Sequence, residues 1–134
     1  YEVGGFEITK SISRSLNVSL KRAEELKRSF GLKEAENNVI QQAMSSLIDM
    51  MAFETKKTIP SYEELKNANI AKVILVGGLA NMPSFADYFG AKLGIPLAIG
   101  NPSARLIMPQ GLKEIQSELN STFAIAIGLA MREI

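Results

Sequence analysis

The sequence predicts an α/β fold in which a mainly helical first half is followed by a parallel strand–helix–strand unit. Three observations predict it. Apolar residues recur at helical spacing up to Pro60. Lys72-Val73-Ile74-Leu75-Val76 is a continuous aliphatic run of the kind found in sheets covered on both faces. Gly77-Gly78 then separates that run from another helical pattern and a second short strand, which closes the unit as a right-handed βαβ.

The elements follow in order. Ile8, Ile12 and Leu16 form an apolar stripe that stops at Asn17-Val18-Ser19. Ser19 is placed to cap a second helix, and Gly31 is the residue type that ends one. Val39, Ile40, Ala43, Met44, Leu47, Ile48 and Met51 mark one buried face of a longer third helix, expected to stop before Pro60. Its methionines read as core filler. After the Lys72–Val76 strand, Pro83 is expected at the first position of a helix with Phe85, Ala86, Phe89 and Leu93 inward, closed by Gly94. Ile95-Pro96-Leu97-Ala98-Ile99 is the second strand. A last helix is expected from about Thr122 to Arg132, apolar nearly all round and so packed between layers. Two strands covered on both faces need neighbours. Tyr1-Glu2-Val3, further upstream strands or another chain are expected to supply them, so the whole of 1–134 reads as a fragment of one domain.

Composition removes much chemistry. The 134 residues include no Cys and no His, which excludes zinc held by those ligands, a thiol nucleophile and a Ser-His-Asp triad. Asp49 and Asp87 are the only aspartates, too few for a calcium loop rich in carboxylates. A net charge of +1 gives no global attraction to nucleic acid or to acidic lipid. The uncharged apolar runs fall short of the ~20 positions a membrane helix needs, so a soluble chain is expected.

Two segments carry the functional signal. Val73 to Pro83 ends a strand in paired glycines, which permit a tight turn and let a ligand approach the backbone. Sterics alone also place such a pair between strand and helix, and neither a G-x-G-x-x-G spacing nor a G-x-x-x-x-G-K-[ST] loop is present. In Arg22 to Gly31, Glu24 and Lys27 share a helix face. Their carboxylate and ammonium suit two ribose hydroxyls, and the planar guanidinium of Arg28 suits stacking on a base. Charge pairs on a solvated helix face have the same look.

Together the segments resemble the second half of actin-like (ribonuclease H-like) ATPases. The residues that carry this are the A-E-x-x-K-x-x-x-G helix at Ala23 to Gly31, the long helix, and the strand ending at Gly77-Gly78 with Pro83 beyond it. Gly4-Gly5-Phe6-Glu7-Ile8-Thr9 is similar to a GG-x-x-I-T segment shared by the cell-division protein FtsA and the pilus protein PilM. Gly94-Ile95-Pro96, Gly100-Asn101-Pro102 and Phe123 to Arg132 look most like the PilM branch, with FtsA the second choice. The resemblance implies a partial actin-like lobe. Residues from about 6 to 68 would form the helical subdomain with its opening helix, and about 69 to 134 the returning βαβ with its closing helix. It implies that Glu24 and Lys27 face a ribose, that Arg28 lies near an adenine and that Gly77 and Gly78 line the nucleotide crevice. Leu79, Ser84 and Ser103 depart from the family pattern; Leu79 would crowd the base, and Ser84 replaces a frequent glycine.

The implied role is the nucleoside-contacting lobe of an ATP-dependent scaffold in type IV pilus assembly. The phosphate hairpins of the family, D-x-G-x-x-x-T in pattern, have no counterpart at Asp49 or Asp87. Magnesium would therefore be held by parts outside this chain, and no catalytic or metal-ligating residue is assigned within it. The implied partners are a PilN-like cytoplasmic tail and other pilus assembly proteins, with self-association open to the fragment, at a cytoplasmic site peripheral to the inner membrane. Two alternatives stand beside this. Ile8 to Leu32 imitates a DNA-binding helix-turn-helix, helped by seven basic and two acidic residues from Lys10 to Lys33. A structural interaction lobe without nucleotide is the other.

Overall fold

A computed structural model describes residues 3–33 and 38–132. Helix α1 (Gly5–Leu16) buries Ile8 and Ile12 and ends at Asn17, whose left-handed backbone (φ 51°) turns the chain back. Helix α2 (Leu20–Phe30) starts at Ser19, whose hydroxyl accepts the Arg22 N–H, and ends at Gly31. Helix α3 (Asn38–Lys66) lays Ile40, Ala43, Met44, Ile48 and Ala52 against α1 and the rest of the core.

The long helix does not stop before Pro60; it runs through it to Lys66. Proline removes one helical N–H and crowds the carbonyl four residues back. Pro60 and Lys56 are both exposed, so water can serve the freed carbonyl. Thr55 and Thr58 donate their hydroxyls to the carbonyls of Met51 and Glu54 in the preceding turns.

Strands β1 (Val73–Leu75) and β2 (Leu97–Ile99) pair in parallel, with Val73 opposite Leu97 and Leu75 opposite Ile99. Both are shorter than the aliphatic runs that announced them. Val73, Leu75 and Leu97 face the core beside α4 (Phe85–Leu93), where Phe85 and Phe89 stack 5.3 Å apart. The opposite face is open among the described residues, Ile74 being 63% exposed, so they supply the cover of one face only. Val3 is in no strand, and Tyr1 and Glu2 lie outside the described residues.

Pro83 does not open α4. Gly78–Asn81 first form a short 3-10 turn, and the helix begins two residues after the proline. Ser84 between them is left-handed, φ 58°, a backbone that glycine adopts at no steric cost. Asp49 on α3 holds α4 by accepting from the Tyr88 hydroxyl (2.8 Å) and pairing with Lys92 (3.0 Å).

The expected last helix is two: α5 (Gln116–Thr122) and α6 (Ala124–Ala130), broken at Phe123. None of α6 is buried, Ile125 being 78% exposed, so it is not packed between layers here. No described helix is long and apolar enough to cross a membrane.

Candidate functional site

The first wall of the site is a polar knot between α1 and α2. Lys27 lies 8% exposed, an uncommon burial for an ammonium unless it is paired. It donates to the Gly5 carbonyl (3.0 Å) and to Thr9 Oγ1 (2.8 Å), and it pairs with Glu24 Oε2 (2.7 Å). Thr9 Oγ1 is 2.6 Å from Glu24 Oε2 and 2.9 Å from the Gly5 carbonyl. Its single proton goes to the carboxylate, the charge-assisted and shorter bond. Glu24 Oε1 accepts from Arg28 Nε at 3.0 Å. Burial pushes the Glu24 carboxyl up, but hydrogen bonds from Lys27, Thr9 and Arg28 outweigh it and hold the group at about 2.

The second wall is the turn after β1. Gly77 has φ +95°, and a Cβ built on it or on Gly78 would meet no atom within 4 Å, so both glycines open onto free space. Helix α5 latches this turn. The Gly77 N–H donates to the Ser121 carbonyl (2.7 Å), the Ser121 hydroxyl bonds Asn81 Oδ1, and the Asn81 amide reaches the Glu118 carbonyl at 3.5 Å.

The two walls are stapled together at Gly31. The Leu32 N–H donates to the Pro83 carbonyl at 2.9 Å. Gly31 fits against Pro83 so closely that a Cβ there would stand 2.3 Å from the same oxygen. One cavity of about 900 Å³ results, bounded by Glu24, Lys27 and Arg28 on one side and by Gly77 and Gly78 on the other. All five sequence-derived positions thus meet at a single cleft. Their states differ: Arg28 is mostly exposed, whereas the Lys27 ammonium is engaged by three oxygens of its own chain. Leu79 also lines the cleft, with Cδ2 lying 3.5 Å from where a Gly5 Cβ would be.

A third wall went unseen in the sequence. Glu114, Ile115, Glu118 and Thr122 line the cavity from α5 and the turn before it. Their spacing of three and four is the available signal, in a stretch before Thr122 for which no element was expected.

The chain matches the family described as type IV pilus assembly protein PilM over residues 1–134. It belongs to the PilM family. Of the two branches that the sequence resembles, the match falls in this one. Among solved structures, a PilM-PilN type IV pilus biogenesis complex matches with TM-score 0.77 and 26% identity over 96% of this chain. The ethanolamine utilization protein EutJ from Carboxydothermus hydrogenoformans matches in fold, with TM-score 0.56 and 24% identity over 72% of the chain. The chain spans 36% and 33% of those two chains, and its fold is a partial actin-like lobe. A comparison with curated proteins gave no match.

The basic stretch that favoured a helix-turn-helix is partly paired in this lobe. Lys10 pairs with Glu7, Arg22 with Glu25, and Lys27 and Arg28 share Glu24. Arg14, Lys21 and Lys33 enter no ion pair among the described residues, so the stretch stays basic, and it is the family match rather than charge that sets the helix-turn-helix reading aside.

Proposed function

We propose that this PilM lobe contacts the nucleoside of a bound ATP in the cleft between α2 and the Gly77-Gly78 turn. One observation supports the reading above the others: Glu24, Arg28, Gly77 and Gly78 border the same cavity. A cavity of about 900 Å³ is ample for a nucleotide. Glu24 keeps acceptor capacity for a ribose hydroxyl, and its low pKa keeps it ionised. The guanidinium of Arg28, held by Nε to Glu24, offers its plane to the base. Lys27 serves by fixing Glu24 and the start of α1. The glycines admit the ligand because no side chain fills the space in front of them. Phosphates and magnesium belong to parts outside this chain.

Membership of the family supports the rest of the reading. The role is that of an ATP-dependent scaffold of the type IV pilus inner-membrane assembly platform, working with a PilN-like cytoplasmic tail and other assembly proteins. In this reading the membrane is reached through that partner, and the lobe sits at its cytoplasmic face. Self-association is a further way to cover the open sheet face.

Titration of ATP into the chain, followed by a fluorescent nucleotide analogue, tests the central part. Saturable binding is expected, weakened about fivefold by Arg28→Ala through the lost stacking. Gly78→Leu, which meets no protein atom at its Cβ, is expected to weaken binding more than tenfold while leaving the urea midpoint in place. Absence of binding, or binding indifferent to Gly78→Leu, overturns the reading.

A further inference from the structure

The α5 wall brings to the cavity a chemistry the other walls lack. Glu118 and Thr122 line the cleft from α5, and Glu114 and Ile115 join them from the turn before it. Neither glutamate enters an ion pair among the described residues, whereas Glu24 across the cavity is neutralised by Lys27 and Arg28. The cleft is therefore polarised, with unpaired carboxylates on one side and the Arg28 cation with the amino-terminal end of α1 on the other. Two carboxylates repel a polyphosphate, so the end of a nucleotide that can lie against α5 is the nucleoside end.

The Glu118 backbone is also held close to the glycine turn. The Gly77–Asn81 turn is tied to α5 by three hydrogen bonds, one of them to the Glu118 carbonyl itself. Its backbone is thereby tethered to the paired glycines, and its side chain stays exposed to the cavity. An ionised carboxylate only accepts hydrogen bonds. Against a purine it is satisfied by an exocyclic amino group, and it faces a bare C–H where that group is missing.

Resting on the nucleotide reading above, we propose that Glu118 is a specificity-determining residue: its carboxylate accepts from the exocyclic amino group of the base and selects amino-purines. The test compares ATP with purine riboside triphosphate, which lacks only that amino group. Phosphate repulsion is common to both ligands and cancels in the ratio of their affinities. The unmodified chain is expected to favour ATP about tenfold, the scale of a hydrogen bond to a charged acceptor. Glu118→Ala is expected to bring the ratio below about threefold, with Glu114→Ala keeping it. A ratio near one in the unmodified chain, or one that survives Glu118→Ala, overturns this proposal and leaves nucleotide binding standing. Failure of ATP to bind at all overturns both.

Discussion

Gly31→Ala is expected to destabilise the chain by about 3 kcal/mol or more and to open the cleft. Two costs combine at this position. The backbone sits at φ 53°, ψ −134°, a region that side-chain-bearing residues reach only with strain of about 1–3 kcal/mol. The added methyl carbon would also stand 2.3 Å from the Pro83 oxygen and 2.9 Å from its nitrogen, both backbone atoms that cannot rotate away. Overpacking of this kind adds about 1–3 kcal/mol. Relief requires α2 to leave the Pro83 loop, which breaks the Leu32–Pro83 hydrogen bond and separates the two walls of the cavity. Urea unfolding measures the first effect and nucleotide titration the second. A variant within about 0.5 kcal/mol of the unmodified chain contradicts the staple.

Lys27→Met is expected to be the next most damaging change, at about 2–3 kcal/mol near neutral pH. Methionine keeps the buried stem and removes the ammonium, so the Gly5 carbonyl, Thr9 Oγ1 and Glu24 Oε2 lose a donor together. The partial exposure of Glu24 keeps the loss below that of a fully buried pair. The change also has a pH signature. A carboxyl held down at about 2, against an ordinary 4.5, contributes stability that is complete above about 4.5 and is lost as pH falls toward about 2. The variant has lost part of that contribution already, so its stability falls less steeply across this window. Asp49 keeps its own share in both proteins, since bonds from Tyr88 and Lys92 lower its carboxyl despite the opposing effect of burial. Equal acid sensitivity in the two proteins contradicts the knot.

The helices were legible where local rules decide them. Ser19 caps α2, Gly31 and Gly94 end helices at positive φ, and Ile8, Ile12 and Met44 are buried as their spacing required. Errors arose where a local rule met a local exception. Pro60 ends a helix by rule, but here it lies in an exposed part of α3 and the helix continues. Pro83 suits a first helical position, yet its carbonyl is held by Leu32 and the turn delays α4 to Phe85. The aliphatic run of β1 announced two covered faces, and only the one packed with α4 has its cover among the described residues. Of the site, the five expected positions surround the cavity because their motifs are short and local. The engagement of Lys27 depends on Thr9 and the Gly5 carbonyl, partners 18 and 22 residues away that no spacing rule on α2 names. The α5 wall depends likewise on contacts across the chain, Ser121 with Asn81 among them.

The most direct test of the nucleotide reading is the backbone-amide NMR spectrum of the labelled chain on addition of ATP. The account predicts saturable shifts at Gly5, Arg28, Gly77, Gly78 and Glu118, with the Asp49–Lys92 tie between α3 and α4 left undisturbed. Shifts confined to α3 and α4, or a spectrum unchanged at millimolar ATP, would contradict it.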